Sequence, residues 1–181
     1  MKNIPKPNPG EYPAYAERYM KWIPDDGNLL GHLQQNFEAV KSLVNSLPES
    51  RHLYRYAEGK WTIKEILVHI IDNERIFANR ALRFARNDRT PLPGYEQDDY
   101  VPYSGANDRD MSGIMEEYEA VRKATITLFA GLPAKAIERT GTASGSPYSV
   151  RALGYFIAGH EMHHLNIIKE KYKEGFQETD K

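Results

Sequence analysis

Apolar residues recur at steps of three and four in four stretches of this chain, separated by links that carry proline and glycine. Leu30, Leu33, Phe37, Val40, Val44 and Leu47 trace the first stretch, which Pro48 ends. That spacing lines one face of a helix. The second opens on Thr62 and Glu65, a T-x-x-E capping box, with Trp61 and Ile66 at the two positions of a hydrophobic staple. Its pattern continues without glycine or proline to Asn87, which predicts a rod of roughly 36 Å. Met111, Ile114, Tyr118, Val121, Thr125 and Leu128 mark the third, which stops before Gly131-Leu132-Pro133. The fourth starts at Ser149, an N-cap residue, and fades at Gly175. No strong strand pattern appears, so the expected fold class is all-α, a four-helix bundle.

The links are unequal. Residues 88–107 hold Pro91, Pro93, Gly94, Pro102 and Gly105, too many breakers for a regular element. A link of that length between the second and third helices permits an overhand crossover instead of a simple hairpin. Its segment LPGYEQDDYVPYS, with Gln97, Asp98, Asp99, Tyr100 and Tyr103, reads either as a cover for a cavity mouth or as ordinary packing. Residues 140–148, rich in Gly, Ser and Thr, suit a short hairpin or a loop. Ahead of the bundle, residues 1–28 carry five prolines among Tyr12, Tyr15, Tyr19 and Trp22. The prolines forbid a long helix and the aromatics need burial, so an arm wrapped on the body is expected, with 29–181 as the bundle in one overall domain.

Composition narrows the chemistry. In 181 residues, 24 Lys and Arg face 25 Asp and Glu, a net charge of −1 that gives no electrostatic reason to expect nucleic acid or an anionic membrane as partner. No apolar run nears the roughly 20 residues of a membrane span, and the N-terminus lacks a signal-peptide core, so the cytoplasm is the expected location. Cysteine is absent, which removes disulfides, thiolate ligands and a cysteine nucleophile. A metal here takes nitrogen and oxygen ligands, and any sulfur chemistry borrows its sulfur from a small molecule.

Three of six histidines fall in GHEMHHL. At about 100° per residue, His164 lies about 40° from His160, and Leu153, Phe156 and Ile167 share that side. Two imidazoles inside an apolar stripe are either metal ligands at the recurrent i, i+4 spacing or core histidines bonded to carbonyls or carboxylates. His163 borders the stripe as a neighbouring or exposed group; His32 and His52 read as structural or surface residues. His69, in WTIKEILVHIIDNER, sits at the edge of its helix's apolar stripe and is the best candidate for a third ligand across the bundle. Asp72 and Asn73, at i+3 and i+4 from it, are placed to orient a ligand or meet a substrate. Glu161 is the carboxylate nearest the pair in sequence, but it points about 100° away from His160. Gly154 and Gly159 weaken the fourth helix by about 1 kcal/mol each relative to Ala, which implies close packing or room beside a metal.

His160-Glu161-Met162-His163-His164 also spells H-E-x-x-H. The H-x-x-G-x-x-H continuation is missing and no strand is indicated beside a cleft, which argues against a zinc peptidase. A di-iron bundle needs Glu-x-x-His on two helices, and the second helix offers none.

GKWTIKEILVHIIDNERIFANRALRFARND, then TPLPGYEQDDYV, then SVRALGYFIAGHEMHHL together resemble the DinB-like superfamily, which includes YfiT-like metal-dependent hydrolases. The W-[ST]-x-K-E-x-x-x-H block and the terminal G-H-x-x-H-H block carry the likeness, over most of residues 28–173. It implies a four-helix bundle and three metal-binding histidines, which match His69, His160 and His164 here. Zinc or nickel is the metal it suggests. It also implies either hydrolysis or transfer using a low-molecular-weight thiol, with a small molecule as substrate and a homodimer as the assembly. Three neutral imidazoles leave a cation its charge and an open position, which suits both chemistries. The competing class is a non-catalytic metal-binding dimeric bundle. Coordination separates them: a structural site is closed by four protein ligands.

Overall fold

The computed structural model describes residues 2–172. Its helices are α1 (Glu17–Met20), α2 (Leu29–Asn45), α3 (Ile63–Ala85), α4 (Gln97–Tyr100), α5 (Met111–Gly131), α6 (Ala134–Ile137) and α7 (Val150–Lys171). Two short strands, β1 (Thr140–Ala143) and β2 (Ser146–Ser149), and single 3-10 turns at Ala14–Ala16, Glu49–Arg51, Val101–Tyr103 and Ala106–Asp108 complete the regular elements of the described residues. The expected fade of the last helix near Gly175 lies outside the described residues.

Helix starts follow local chemistry. Thr62 Oγ1 accepts from the Glu65 amide at 3.1 Å, and the Glu65 carboxylate accepts from the Thr62 amide at 2.7 Å, so the capping box is closed. Ser149 Oγ accepts from the Ala152 amide at 3.1 Å and starts α7.

The four long helices α2, α3, α5 and α7 pack into a bundle in which α2 and α3 each lie against both α5 and α7. Phe77 stacks on Phe156 at 4.1 Å while Tyr172 Oη donates to the Trp61 carbonyl, so α3 and α7 run in opposite directions. Lys64 reaches the Arg109 carbonyl and Arg122 bonds Glu74, so α3 and α5 run the same way. The link between them doubles back along α3. Arg80 donates to the Pro93 carbonyl, Asn73 to the Tyr95 hydroxyl, and Asn107 to Glu65.

The all-α expectation needs one amendment. Residues 140–149 form an antiparallel hairpin, with Ala143 opposite Ser146. Ser144 and Gly145 between them both have positive φ, as a two-residue primed turn requires. Four-residue strands TGTA and SPYS, in which Tyr148 is the one large apolar side chain, carry too little apolar alternation to fix the strands from the sequence.

The arm is part of the core: Ile4, Tyr12, Ala16, Met20 and Ile23 are buried with the C-terminal half of α3 and the N-terminal half of α7. A second apolar cluster fills the other end of the bundle. Between the two lies a band of buried polar residues, among them His69, Asn73, Glu74, Arg122, His160 and Glu161. No described helix is long and apolar enough to cross a membrane.

Candidate metal centre

α3 brings His69 and α7 brings His160 and His164 to one point in that polar band. His160 Nε2 lies 3.1 Å from His69 Nε2 and 3.1 Å from His164 Nε2. One ligand nitrogen from each ring lies within 4.8 Å of the others. His69, His160 and His164 are 4%, 3% and 9% exposed as residues. An imidazole nitrogen carries one hydrogen or one lone pair. His160 Nε2 therefore cannot satisfy both neighbours by hydrogen bonding. A cation between three lone pairs does satisfy them: nitrogens about 2.1 Å from a tetrahedral ion stand about 3.4 Å apart. The donor set fits a divalent metal.

Burial sets the protonation. It pushes the His69 pKa down to about 4. Burial, reinforced by the neighbouring imidazoles, holds His160 and His164 well below the ordinary histidine value. All three are neutral at pH 7, the form that ligates.

Aromatic side chains fix the rings. Trp61 lies against His69 at 4.7 Å and stacks on His164 at 6.4 Å, and Tyr19 of α1 meets His160 and His163 edge-on at 5.4 Å. Gly159 carries no side chain because the Tyr19 carbonyl occupies that space, 2.3 Å from where a β-carbon would stand. The arm's close approach, rather than room beside a metal, accounts for this glycine. Gly154 is likewise pressed by Leu29 and Phe129.

Two cavities reach the imidazoles. One, of about 440 Å³, is walled by Tyr56, Trp61, Ile66, Tyr172 and His164. The other, of about 240 Å³, is walled by Tyr19, Asn73, Arg80, Tyr95 and His160. Asp98 of the long link borders both. Among the described residues no carboxylate joins the three-histidine group.

The remaining sequence candidates separate. Asn73 walls the smaller cavity. Asp72 is half-buried near Arg75, and burial raises its pKa. Glu161 is fully buried on the other side of α7, where its carboxylate accepts from Tyr118 and stands 2.9 Å from Arg122 Nη1. That Arg122 contact is an ion pair off the hydrogen-bond direction, which leaves Glu161 Oε2 without a hydrogen bond. Glu161 thus belongs to the bundle core. His32 bonds Asp26 at 3.0 Å, and His52 lies away from the centre beside Lys64. Sequence reading passed over Trp61 as a wall and Arg80 altogether. Arg80 lies eleven residues after His69, about 20° round the same helix, and that offset was the available signal.

A helical bundle whose facing helices converge three neutral imidazoles on one point is, by class, a candidate metalloprotein. The chain belongs to the DinB superfamily, whose sequence profile matches residues 32–168. In fold it is similar to YfiT from Bacillus subtilis, described as a probable metal-dependent hydrolase with an unusual four-helix bundle topology; identity is 15%, TM-score 0.70, over 93% of this chain and 92% of that one. A DinB-like protein of Bacillus subtilis, YjoA, aligns at 17% identity and TM-score 0.59, over 83% and 93%. The mycothiol-dependent maleylpyruvate isomerase aligns at 12% identity and TM-score 0.66, over 81% of this chain and 61% of that one. No curated protein matches in sequence.

Proposed function

We propose that the chain is a metal-dependent enzyme acting on a small molecule in the cytoplasm, either a thiol-dependent transferase or a hydrolase. His69, His160 and His164 are the ligands of a divalent cation, zinc or nickel. The observation that carries this reading is the convergence of three neutral Nε2 atoms with no fourth described protein ligand and with cavities at two of them. A cation held there supplies Lewis acidity, which acidifies a water or a low-molecular-weight thiol.

The chain's own residues do the rest. His69 and the His160–His164 pair hold the cation from opposite helices. Trp61 packs against His69 and His164 and Tyr19 against His160, which keeps the three rings in register. The link over 88–107, read as an overhand crossover, carries Tyr95 and Asp98 to the cavity mouths. A non-catalytic site closed by protein is less well supported, because the larger cavity reaches His164 directly. A homodimer is part of the reading, supported by exposed Tyr15 and Trp22 on the arm.

Metal analysis of untagged protein tests it, followed by screening of electrophiles with several thiols and without any. About one equivalent of metal per chain and turnover that requires it support the reading. Protein that binds no divalent metal at micromolar concentration defeats it.

A further inference from the structure

Arg80 is a buried cation without a counter-charge. It is 4% exposed, yet no carboxylate stands within ion-pair reach among the described residues. Its Nη2 donates to the Pro93 carbonyl at 2.9 Å and to Ser144 Oγ at 3.1 Å, and its guanidinium lies 4.9 Å over the Phe77 ring. Neutral acceptors and a ring face offset only part of the cost of taking a full charge out of water. By contrast, the other guanidinium this deeply buried, Arg122, is matched to Glu74 and Glu161.

A second group on the same wall is also incomplete. Asn73 is 4% exposed; its Nδ2 donates to Tyr95 Oη at 2.7 Å, while Oδ1 is enclosed and has no donor. His69, Asn73 and Arg80 fall at offsets of four and eleven residues, within about 40° of one line along α3. Asn73 and Arg80 wall the smaller cavity together with His160. Its outer rim carries Glu96 and Asp98, both exposed, and these disfavour a second negative charge on whatever enters.

We propose that this cavity is the subsite for a small monocarboxylate that carries an N–H or O–H beside its carboxyl group. Arg80 pairs the carboxylate, Asn73 Oδ1 accepts from the neighbouring donor, and the rest of the ligand points to His160 and the three-imidazole centre. Nη2 is committed to Pro93 and Ser144, which leaves Nε–H and the two Nη1 hydrogens of the guanidinium to meet a carboxylate. The assignment deepens the enzyme reading by naming a ligand class, and it rests on that reading only for the reacting end.

Titration calorimetry with N-acetylglycine and its uncharged analogue N-acetylglycinamide, on zinc-treated and zinc-free protein, tests it. The wild type prefers the acid by at least about tenfold, and Arg80→Met reduces the preference to within about twofold. Equal affinity of the wild type for both compounds, no binding of either, or a preference that survives Arg80→Met overturns the subsite. Should Arg80→Met fail to fold, Asn73→Asp adds a like charge to the cavity and weakens the acid alone by about tenfold; unchanged affinity there overturns it equally. The two readings fail separately. Preference for the acid in zinc-free protein stands whether or not zinc binds, and zinc binding without preference sinks the subsite while leaving the metal centre.

Discussion

The Tyr19 carbonyl fills the place where a β-carbon on Gly159 would stand, so the backbones of the arm and α7 come together one residue before His160. A methyl group there has nowhere to go, because its nearest neighbour is main chain rather than a flexible side chain. Gly159→Ala gains about 1 kcal/mol of helix propensity but forces the arm outward at a cost of about 1–3 kcal/mol. A net loss of stability is expected in urea unfolding, together with weaker metal binding as Tyr19 leaves His160.

Each ligand histidine is expected to be necessary. His69→Ala, His160→Ala and His164→Ala abolish stoichiometric metal binding while the far-ultraviolet circular dichroism stays helical. Chelation lowers the melting temperature of the wild type and leaves the three variants unmoved, because only an assembled site couples metal to folding. A His69 variant with full occupancy and an unchanged chelator response removes α3 from the site.

The metal-free protein loses stability in acid over a defined window. His69 has its folded pKa pushed down to about 4, against about 6.5 when unfolded, so below about 6.5 the unfolded chain binds the extra proton. The stabilisation is complete above that value and is lost as pH falls through about 4, amounting to roughly 3 kcal/mol from this residue. His160 and His164 shift the same way and steepen the loss. Urea midpoints from pH 8 to 4 check this. His69→Gln should flatten the curve, and an unchanged slope refutes the assignment.

Arg122 anchors the core beneath the site. It donates to Glu74 at 2.8 Å and to the Leu33 carbonyl, and its ion pair with Glu161 draws in a third helix. Burial opposes its charge, but the two carboxylates outweigh that and raise its pKa well above the ordinary value. Arg122→Met strands two buried carboxylates and is expected to destabilise the fold by about 3–5 kcal/mol. Glu161→Gln should leave metal binding intact, because its carboxylate faces this cluster; loss of metal in that variant would return Glu161 to the site.

Trp61 is a built-in reporter. Its ring lies 4.7 Å from His69, whereas Trp22, the other tryptophan, is 38% exposed on the arm. Metal titration should change intrinsic fluorescence in the wild type and leave it unchanged in Trp61→Phe. A response that persists in Trp61→Phe places the binding event elsewhere.

Local signals in the sequence were strong where they act over one or two turns. The Thr62–Glu65 box, the Ser149 cap and the His160–His164 spacing all appear as expected, because each is a contact between near neighbours in the chain. Direction and partnership were not legible. An apolar stripe does not say which way its helix runs, so the parallel course of α3 and α5 emerges only from pairs such as Glu74 and Arg122. Arg122 follows Tyr118 by four residues and was a charge on an apolar face, yet its two carboxylate partners come from helices 48 residues before it and 39 residues after it. The hairpin was half legible: Gly, Ser and Thr over residues 140–148 allowed a hairpin or a loop, and what decides between them is two positive φ angles rather than any pattern of side chains.

His69 and His160 stand 91 residues apart in sequence, and their Nε2 atoms are 3.1 Å apart in space. Bridging them with a cation closes a loop that spans half the chain, and in the loop-entropy picture a covalent cross-link of that span is worth about 4–5 kcal/mol. With the proposed cation bound, a protein without a single cysteine would hold the equivalent of a long-range staple whose release depends on a chelator rather than a reductant. Its durability would follow the supply of metal around it and be indifferent to the redox state of its compartment.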